Sequence, residues 1–151
     1  MSLECVILIG LPGAGKSSLY REKFARTHVH VSKDLWPKAT KREDRQREMI
    51  DDALAGGRSV VIDNTNPTRA ERAALIRVAH AHKARVIGYF FDVNTRTAVA
   101  RNAERTGPAK VPNVAIFTAA KRLQPPSLAE GFDQLFRVEI AKDRSLQISE
   151  T

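Results

Sequence analysis

The chain has 151 residues, with 25 Lys and Arg against 17 Asp and Glu, a formal net charge of +8 and a pI of about 10.1. That length is one domain's worth and can bury a core, and 42% hydrophobic with 28% charged residues excludes a disordered or fibrous chain. The basic balance points to an anionic partner, although a solvated basic face accounts for the charge equally well. A single cysteine, Cys5, excludes an internal disulfide and lies inside an apolar run, where it reads as core. No run reaches membrane-span length, and the N-terminal apolar run has no basic flank, so no signal peptide or membrane partner is expected. A cytoplasmic location, or a nuclear one in a eukaryote, follows as the expectation.

Leu3–Ile9 is nearly continuous in apolar residues, the pattern of a central strand covered on both faces. It runs straight into Gly10-Leu11-Pro12-Gly13-Ala14-Gly15-Lys16-Ser17, after which a first helix is predicted from Lys16 to about Ala25. His28–Ser32 reads as a short second strand. Thr40-Lys41-Arg42-Glu43 fits a capping box opening a helix with Met49, Ile50, Ala53 and Leu54 on one face, closed by Gly56-Gly57. Ser59–Ile62 is a third strand. Asn66-Pro67 reads as a cap followed by Pro in the first turn, with Ala70, Ala74, Leu75, Val78 and Ala79 facing inward as far as His82. Arg85–Phe91 is the fourth strand, followed by a helix from about Thr95 to Arg105 and a Gly/Pro-rich loop, Thr106–Pro112. A helix around Val114–Leu123 precedes Pro125-Pro126, and strands are predicted at Phe136–Ile140 and Leu146–Ile148.

Strands alternating with helices predict a single three-layer α/β domain over residues 1–151, a mainly parallel sheet of about five strands with helices on both faces. Right-handed crossovers put every strand's C-terminal end on one edge, where ligands bind. Four polar segments then converge there: the glycine-rich loop, Ser32-Lys33-Asp34, Asp63-Asn64-Thr65-Asn66, and Asp92.

The glycine-rich segment has the phosphate-loop spacing, in which backbone N–H groups curl around an anion at a helix N-terminus. Gly13, Ala14, Gly15, Lys16, Ser17 and Ser18 are the expected triphosphate contacts, with Lys16 on the outer phosphates and Ser17 a ligand of Mg²⁺. Asp34 is the candidate general base for phosphoryl transfer to a hydroxyl; a solvated loop acid is the bland alternative. Asp63 occupies the position of a Mg²⁺-associated carboxylate, or else caps the helix after it. Arg101 and Arg105, four residues apart, share a helix face before a loop, and a lid over roughly 101–112 that clamps phosphate is set against a plain basic face. The pairs His28/His30 and His80/His82 lack the further ligands of a metal site. Trp36 beside Lys33, Lys38, Lys41 and Arg42 suits a stacking platform for single-stranded nucleic acid, or a partly buried core tryptophan.

The series GLPGAGKS, VSKD, VIDNTNP, ARNAER, KVP and PPSLAEGF closely resembles the kinase domain of the eukaryotic polynucleotide kinase-phosphatases, and more loosely the phage and bacterial polynucleotide 5′-kinases. It spans roughly Val6 to Ile140. The phosphate loop is generic, whereas D-N-T-N-P and S-L-A-E-G-F are particular to this group. The resemblance implies ATP- and Mg²⁺-dependent transfer of the γ-phosphate to the 5′-hydroxyl of DNA or RNA in nucleic-acid end healing. It implies Asp34 as base, Lys16 and Ser17 as the phosphate and Mg²⁺ contacts, Asp63 as the acid after the third strand, and Arg105 as the essential lid arginine with Arg101 assisting. Substrate contacts are expected from Lys33, Asp34, Trp36, Lys38, Asp63, Asn64, Thr65 and Asn66. Pro37 stands where phage-type relatives carry a substrate-gripping arginine, and Lys33 where many have arginine. The D-x-D-x-T motif of the phosphatase half is absent from the sequence, as in a stand-alone kinase or one domain of a larger protein. Kinases of small alcohols or nucleosides share this outline, and a non-catalytic ATP-binding adaptor is the rival from another class.

Overall fold

The computed structural model describes residues 2–151. Its frame is a sheet in the order β2-β3-β1-β4-β5-β6. The strands are β1 (Glu4–Ile9), β2 (Val29–Val31), β3 (Val60–Asp63), β4 (Arg85–Phe91), β5 (Gln134–Ile140) and β6 (Leu146–Glu150). The first five are parallel; β6 returns antiparallel along β5, which makes six strands where about five were predicted. The helices are α1 (Lys16–Leu19), which widens into a π-helical turn over Tyr20–Phe24, α2 (Arg42–Ala55), α3 (Arg69–Ala81), α4 (Thr95–Ala103) and α5 (Asn113–Arg122).

Strand β1 lies between β3 and β4, and its residues Cys5 to Ile9 are all fully buried. Its side chains alternate between two cores. Cys5, Ile7 and Ile9 pack with Ile50 and Leu54 of α2 and Leu75, Ile76 and Ala79 of α3. Val6 and Leu8 pack with Leu19, Phe24, Ala98 of α4 and Ile116 of α5. Each fully buried aliphatic side chain contributes about 1.5–3 kcal/mol, so the strand that delivers the glycine-rich loop is the most firmly seated in the sheet. Because chain order reverses direction across the sheet at β1, the crevice opens at its C-terminal end.

Three local expectations are corrected. Helix α2 begins at Arg42 after Lys41, without a side-chain cap, so Thr40 does not form the capping box. Asn66 does not cap α3: Thr68 does, its hydroxyl accepting from the Glu71 N–H at 3.2 Å. Asn66 instead takes a left-handed φ of 47°, and its side-chain amide donates to the Leu8 carbonyl at 2.7 Å. The buried face of α3 is Arg72, Leu75, Ile76 and Ala79, while Ala70 and Ala74 are exposed on a cleft wall.

Arg72 is wholly buried and explains that rotation. Its guanidinium donates to Glu130 Oε1 and Oε2 (2.9 and 3.2 Å), to the Asn66 carbonyl (2.9 Å) and to the Gln124 carbonyl (2.9 Å). Glu130 Oε2 also accepts from the Ser127 N–H at 2.9 Å, closing a capping box on the 3-10 turn Leu128–Glu130. One forked side chain therefore ties the D-N-T-N-P turn to the S-L-A-E-G-F turn, and a buried charge that meets this many partners is affordable.

Candidate active site

A cleft of about 1030 Å³ opens over the C-terminal ends of β1, β2 and β3. Its floor is the glycine-rich loop. Gly13 (φ 85°) and Gly15 (φ 105°) take backbone conformations that side chains disfavour, and a Cβ on Gly13 would stand 2.7 Å from the Ala98 carbonyl oxygen of α4. Gly15 caps α1 without a side-chain hydrogen bond, which leaves its first-turn N–H groups to an anion. The Ala14 N–H is spent inside the loop, on Leu11 O at 3.1 Å.

Lys16 is buried, and its Nζ donates to the Gly10 carbonyl at 2.7 Å. Burial pulls its pKa down to about 8; Asp63 opposes the fall, Arg105 adds to it, and Asp34 opposes it. Among the described residues this ammonium is held dry with no ion pair, and an added anion stabilises it. Ser17 lines the same cleft.

Strand β3 ends in Asp63, which is buried and accepts from His30 Nε2 of β2 at 2.9 Å. The His30 ring lies on Tyr20 at 4.2 Å between centroids. His30 thus orients the carboxylate, a role that the H-x-H pattern did not reveal because its partner comes from another strand. Its neighbour His28 is spent on Glu4 (2.8 Å) and His82 on Asp51 (2.6 Å). Among the described residues no group of three His, Cys, Asp or Glu is placed to hold a metal. A Mg²⁺ that keeps its waters and phosphate oxygens needs only one or two protein oxygens, and Ser17 and Asp63 fit that requirement.

Asp34 lies on a 3-10 turn, Lys33–Leu35, set by the Ser32 hydroxyl accepting from the Asp34 N–H at 3.2 Å. It is exposed and lines the cleft with Lys33, Arg42, Asn64 and Thr65. Asn64 braces this wall: its Oδ1 accepts from Lys33 N (2.9 Å), and its Nδ2 donates to the buried Gln46 (2.7 Å). Lys33 pairs with Glu43.

Arg105 lines the opposite rim and donates to the Ala109 carbonyl at 3.0 Å. Its pKa is lowered, by burial first and then by Arg101. Arg101 differs: its Nε donates to Gly13 O at 2.9 Å, bracing the loop rather than lining the cleft. The expected lid is shorter than 101–112. Residues up to Ala103 belong to α4, and buried Asn102 grips Val111 at both backbone groups (2.7 and 3.0 Å), so the protruding part is Thr106–Lys110.

Other predicted residues fall elsewhere. Trp36 lines a second hollow with Val29, Arg45 and Met49, and Lys38 is exposed outside the cleft. Ser18 also lies outside it, next to Arg21. Asn66 touches the cleft, but its amide is committed to the backbone. Asp92 binds Arg137 (2.9 and 2.5 Å) away from the cleft, so three of the four polar strand ends converge there.

A parallel sheet split at β1 by a glycine loop, a dry lysine and a strand-end acid defines a phosphate-loop kinase fold. The chain belongs to the AAA domain family, whose model matches residues 5–126. It is 28% identical over 139 residues to a bifunctional polynucleotide phosphatase/kinase of Schizosaccharomyces pombe, which covers 89% of this chain and 33% of that protein. The chain spans about a third of the length of the curated relatives it matches. Among solved structures, a fungal RNA kinase superposes with a TM-score of 0.69 at 17% identity, over 94% of this chain and 40% of that one. A gluconokinase from Sinorhizobium meliloti superposes with a TM-score of 0.67 at 20% identity, over 92% and 83%. The resemblance to polynucleotide kinases seen in the motifs is borne out by these relatives. Among the described residues no helix is long and apolar enough to cross a membrane.

Proposed function

We propose that the chain is a phosphotransferase that moves the γ-phosphate of ATP to the 5′-hydroxyl end of a DNA or RNA strand. The observation that carries this reading is the shared cleft, in which Asp34 on one wall faces the ground held by Lys16, Ser17, Asp63 and Arg105. The loop N–H groups and Lys16 bind the donor's phosphates. Ser17 and Asp63 would hold Mg²⁺, which when bound offsets the charge of the β- and γ-oxygens. Asp34 accepts the acceptor's hydroxyl proton while that oxygen bonds to the γ-phosphorus, and the bond to the bridging oxygen breaks to release ADP. Arg105 meets the charge that spreads over the γ-oxygens. An adaptor that only binds ATP has no use for Asp34.

A second reading, a kinase of a small alcohol, is favoured by the likeness to the gluconokinase, which shares the fold at similar quality. Labelled γ-phosphate transfer to a 5′-hydroxyl oligonucleotide, beside the matching 5′-phosphorylated one, separates the two. Label on the first alone supports polynucleotide kinase activity, with acceptor affinity falling steeply as salt rises. Transfer to neither, with ATP bound, favours the small-alcohol kinase. Asp34→Asn is expected to leave ATP affinity unchanged and to lower transfer by about 10²–10⁴-fold; full activity in that variant would refute the mechanism.

A further inference from the structure

Strand register brings His30 to Asp63. In the parallel pair of β2 and β3, His30 stands opposite Val61, two residues before Asp63. Both side chains therefore leave the sheet on one face, the face covered by Leu19 of α1 and by Tyr20 and Phe24 of its π-helical turn. An ionised carboxylate only accepts, so His30 Nε2 carries the proton of the 2.9 Å bond to Asp63 Oδ2. The His30 side chain is 33% exposed, and this is its one hydrogen bond among the described residues. What fixes the plane of its ring is Tyr20, inclined at 35° to it with 4.2 Å between centroids. Tyr20 opens the π-helical turn, one turn of chain after Ser17. Such wide turns are rare and concentrate at functional sites.

The bond from His30 makes the two oxygens of Asp63 unequal. Oδ2 is held, whereas Oδ1 accepts no hydrogen bond among the described residues and stays open to the cleft. A carboxylate with one oxygen committed has one oxygen to offer a cation. That suits Mg²⁺, which is small, demands octahedral geometry and keeps several waters. It suits Ca²⁺ less well, because Ca²⁺ collects six to eight oxygens in flexible geometry and takes carboxylates two oxygens at a time.

We propose that Tyr20 and His30 are positioning residues that hold Asp63 to one-oxygen binding and so make the site select Mg²⁺ over Ca²⁺. The inference rests on the reading above, in which Ser17 and Asp63 hold the metal. Ser17 and Tyr20 belong to one short segment behind the phosphate loop, so that segment supplies one metal ligand and braces the other through His30.

The test uses the full chain and a non-hydrolysable ATP analogue, whose affinity is measured by calorimetry in EDTA, in Mg²⁺ and in Ca²⁺. The readout is the factor by which each metal strengthens binding over EDTA. A variant that is merely loosened loses affinity in all three conditions and keeps the factors. In the wild type the Mg²⁺ factor is expected to exceed the Ca²⁺ factor. His30→Phe keeps a ring on Tyr20 and removes the donor. It is expected to lower the Mg²⁺ factor by about 10-fold, as lost supports of metal ligands do, with affinity in EDTA unchanged. The Ca²⁺ factor is expected to hold or rise, because Oδ2 is released. His30→Gln restores an N–H donor and is expected to recover most of the Mg²⁺ factor. Tyr20→Phe is expected to match the wild type, and Tyr20→Leu to lose part of the Mg²⁺ factor.

Thermal unfolding shows which variants fold, and the Tyr20 pair decides should His30→Phe fail. A folded His30→Phe that keeps both factors, or loses both in equal proportion, overturns the inference. So does a His30→Gln that falls as far as His30→Phe, and a Tyr20→Leu equal to the wild type removes Tyr20 from it. Asp63→Asn tells this failure from failure of the reading beneath. A Mg²⁺ factor lost in Asp63→Asn but kept in His30→Phe overturns the positioning role alone. A factor kept in Asp63→Asn, or a wild type whose binding Mg²⁺ does not strengthen, overturns the metal assignment as well.

Discussion

Two buried cations stand on either side of Asn66 and are treated in opposite ways. Arg72 is fully buried and fully partnered, with a bidentate carboxylate and two carbonyls. Lys16 is nearly as buried, yet among the described residues it meets one carbonyl and no counter-ion, and its pKa falls to about 8. Equal burial thus serves two ends. A satisfied charge fixes the frame; an unsatisfied one is a standing demand for an anion. Burial alone identifies neither, and the list of partners decides.

The largest expected effects follow from exchanging each cation for an apolar residue. Arg72→Met strands Glu130 and is expected to cost about 3–5 kcal/mol of stability, read in denaturant unfolding, with phosphoryl transfer lost only as the fold is lost. Lys16→Met is expected to do the reverse: transfer falls by about 10²–10³-fold while ligand-free stability holds or rises. The sign can be checked against pH. Between about pH 8 and the ordinary lysine value of 10.5, the unfolded chain keeps a proton that folded Lys16 has released. The unfolded state binds more protons there, so this group makes wild-type stability rise with pH across that window, by at most about 3 kcal/mol, and Lys16→Met removes the slope. A Lys16→Met protein that unfolds like Arg72→Met would erase the distinction.

How far each cation was legible in the sequence follows from where its partners lie. Lys16 is defined by residues within one turn of chain, Gly10 to Ser17, so spacing alone exposes it. Arg72 meets groups at Asn66, Gln124 and Glu130, and those contacts across 52 and 58 residues leave no local pattern. Apolar spacing in α3 predicts Ala70 and Ala74 inside with Leu75 and Ala79; the last two are buried, whereas Ala70 and Ala74 are exposed and Arg72 is buried with the core face. The strands were legible because both-face burial writes a continuous apolar run, as Val6–Ile9 shows. Within the cleft, Asp34, Asp63 and Asn64 were legible as strand-end residues, since parallel topology sends every such end to one edge. His30, Gln46 and Asn102 were not, because each meets a group supplied by another segment: the Asp63 carboxylate, the Asn64 side-chain amide and the Val111 backbone.

Asn66 joins the two regions and sharpens the contrast. Its amide donates to Leu8 O in the strand that carries the phosphate loop, while its own carbonyl accepts from Arg72. Asn66→Gly keeps the left-handed backbone at φ 47° without strain but leaves the Leu8 carbonyl unpaired, an expected loss of about 1–3 kcal/mol. Asn66→Ala adds backbone strain and is expected to be the less stable of the two in parallel thermal melts. Because both variants lose the amide, the reverse order would mean that the left-handed backbone carries no weight at this turn.

The smallest effect expected belongs to Thr68, which caps α3 and whose carbonyl accepts from the Arg72 N–H at 3.1 Å. Thr68→Ala removes the hydroxyl that accepts from Glu71 and keeps the backbone, so it is expected to cost about 1 kcal/mol, as caps do. Because the cap lies on the frame side, ATP affinity measured by calorimetry is expected to stay at the wild-type value. Lowered affinity with unchanged stability would mean that the first turn of α3 acts on the cleft, through Ala70 and the wall it forms, and not on the frame. The frame and the cradle would then share a wall as well as Asn66, and Arg72 would influence binding without touching the ligand.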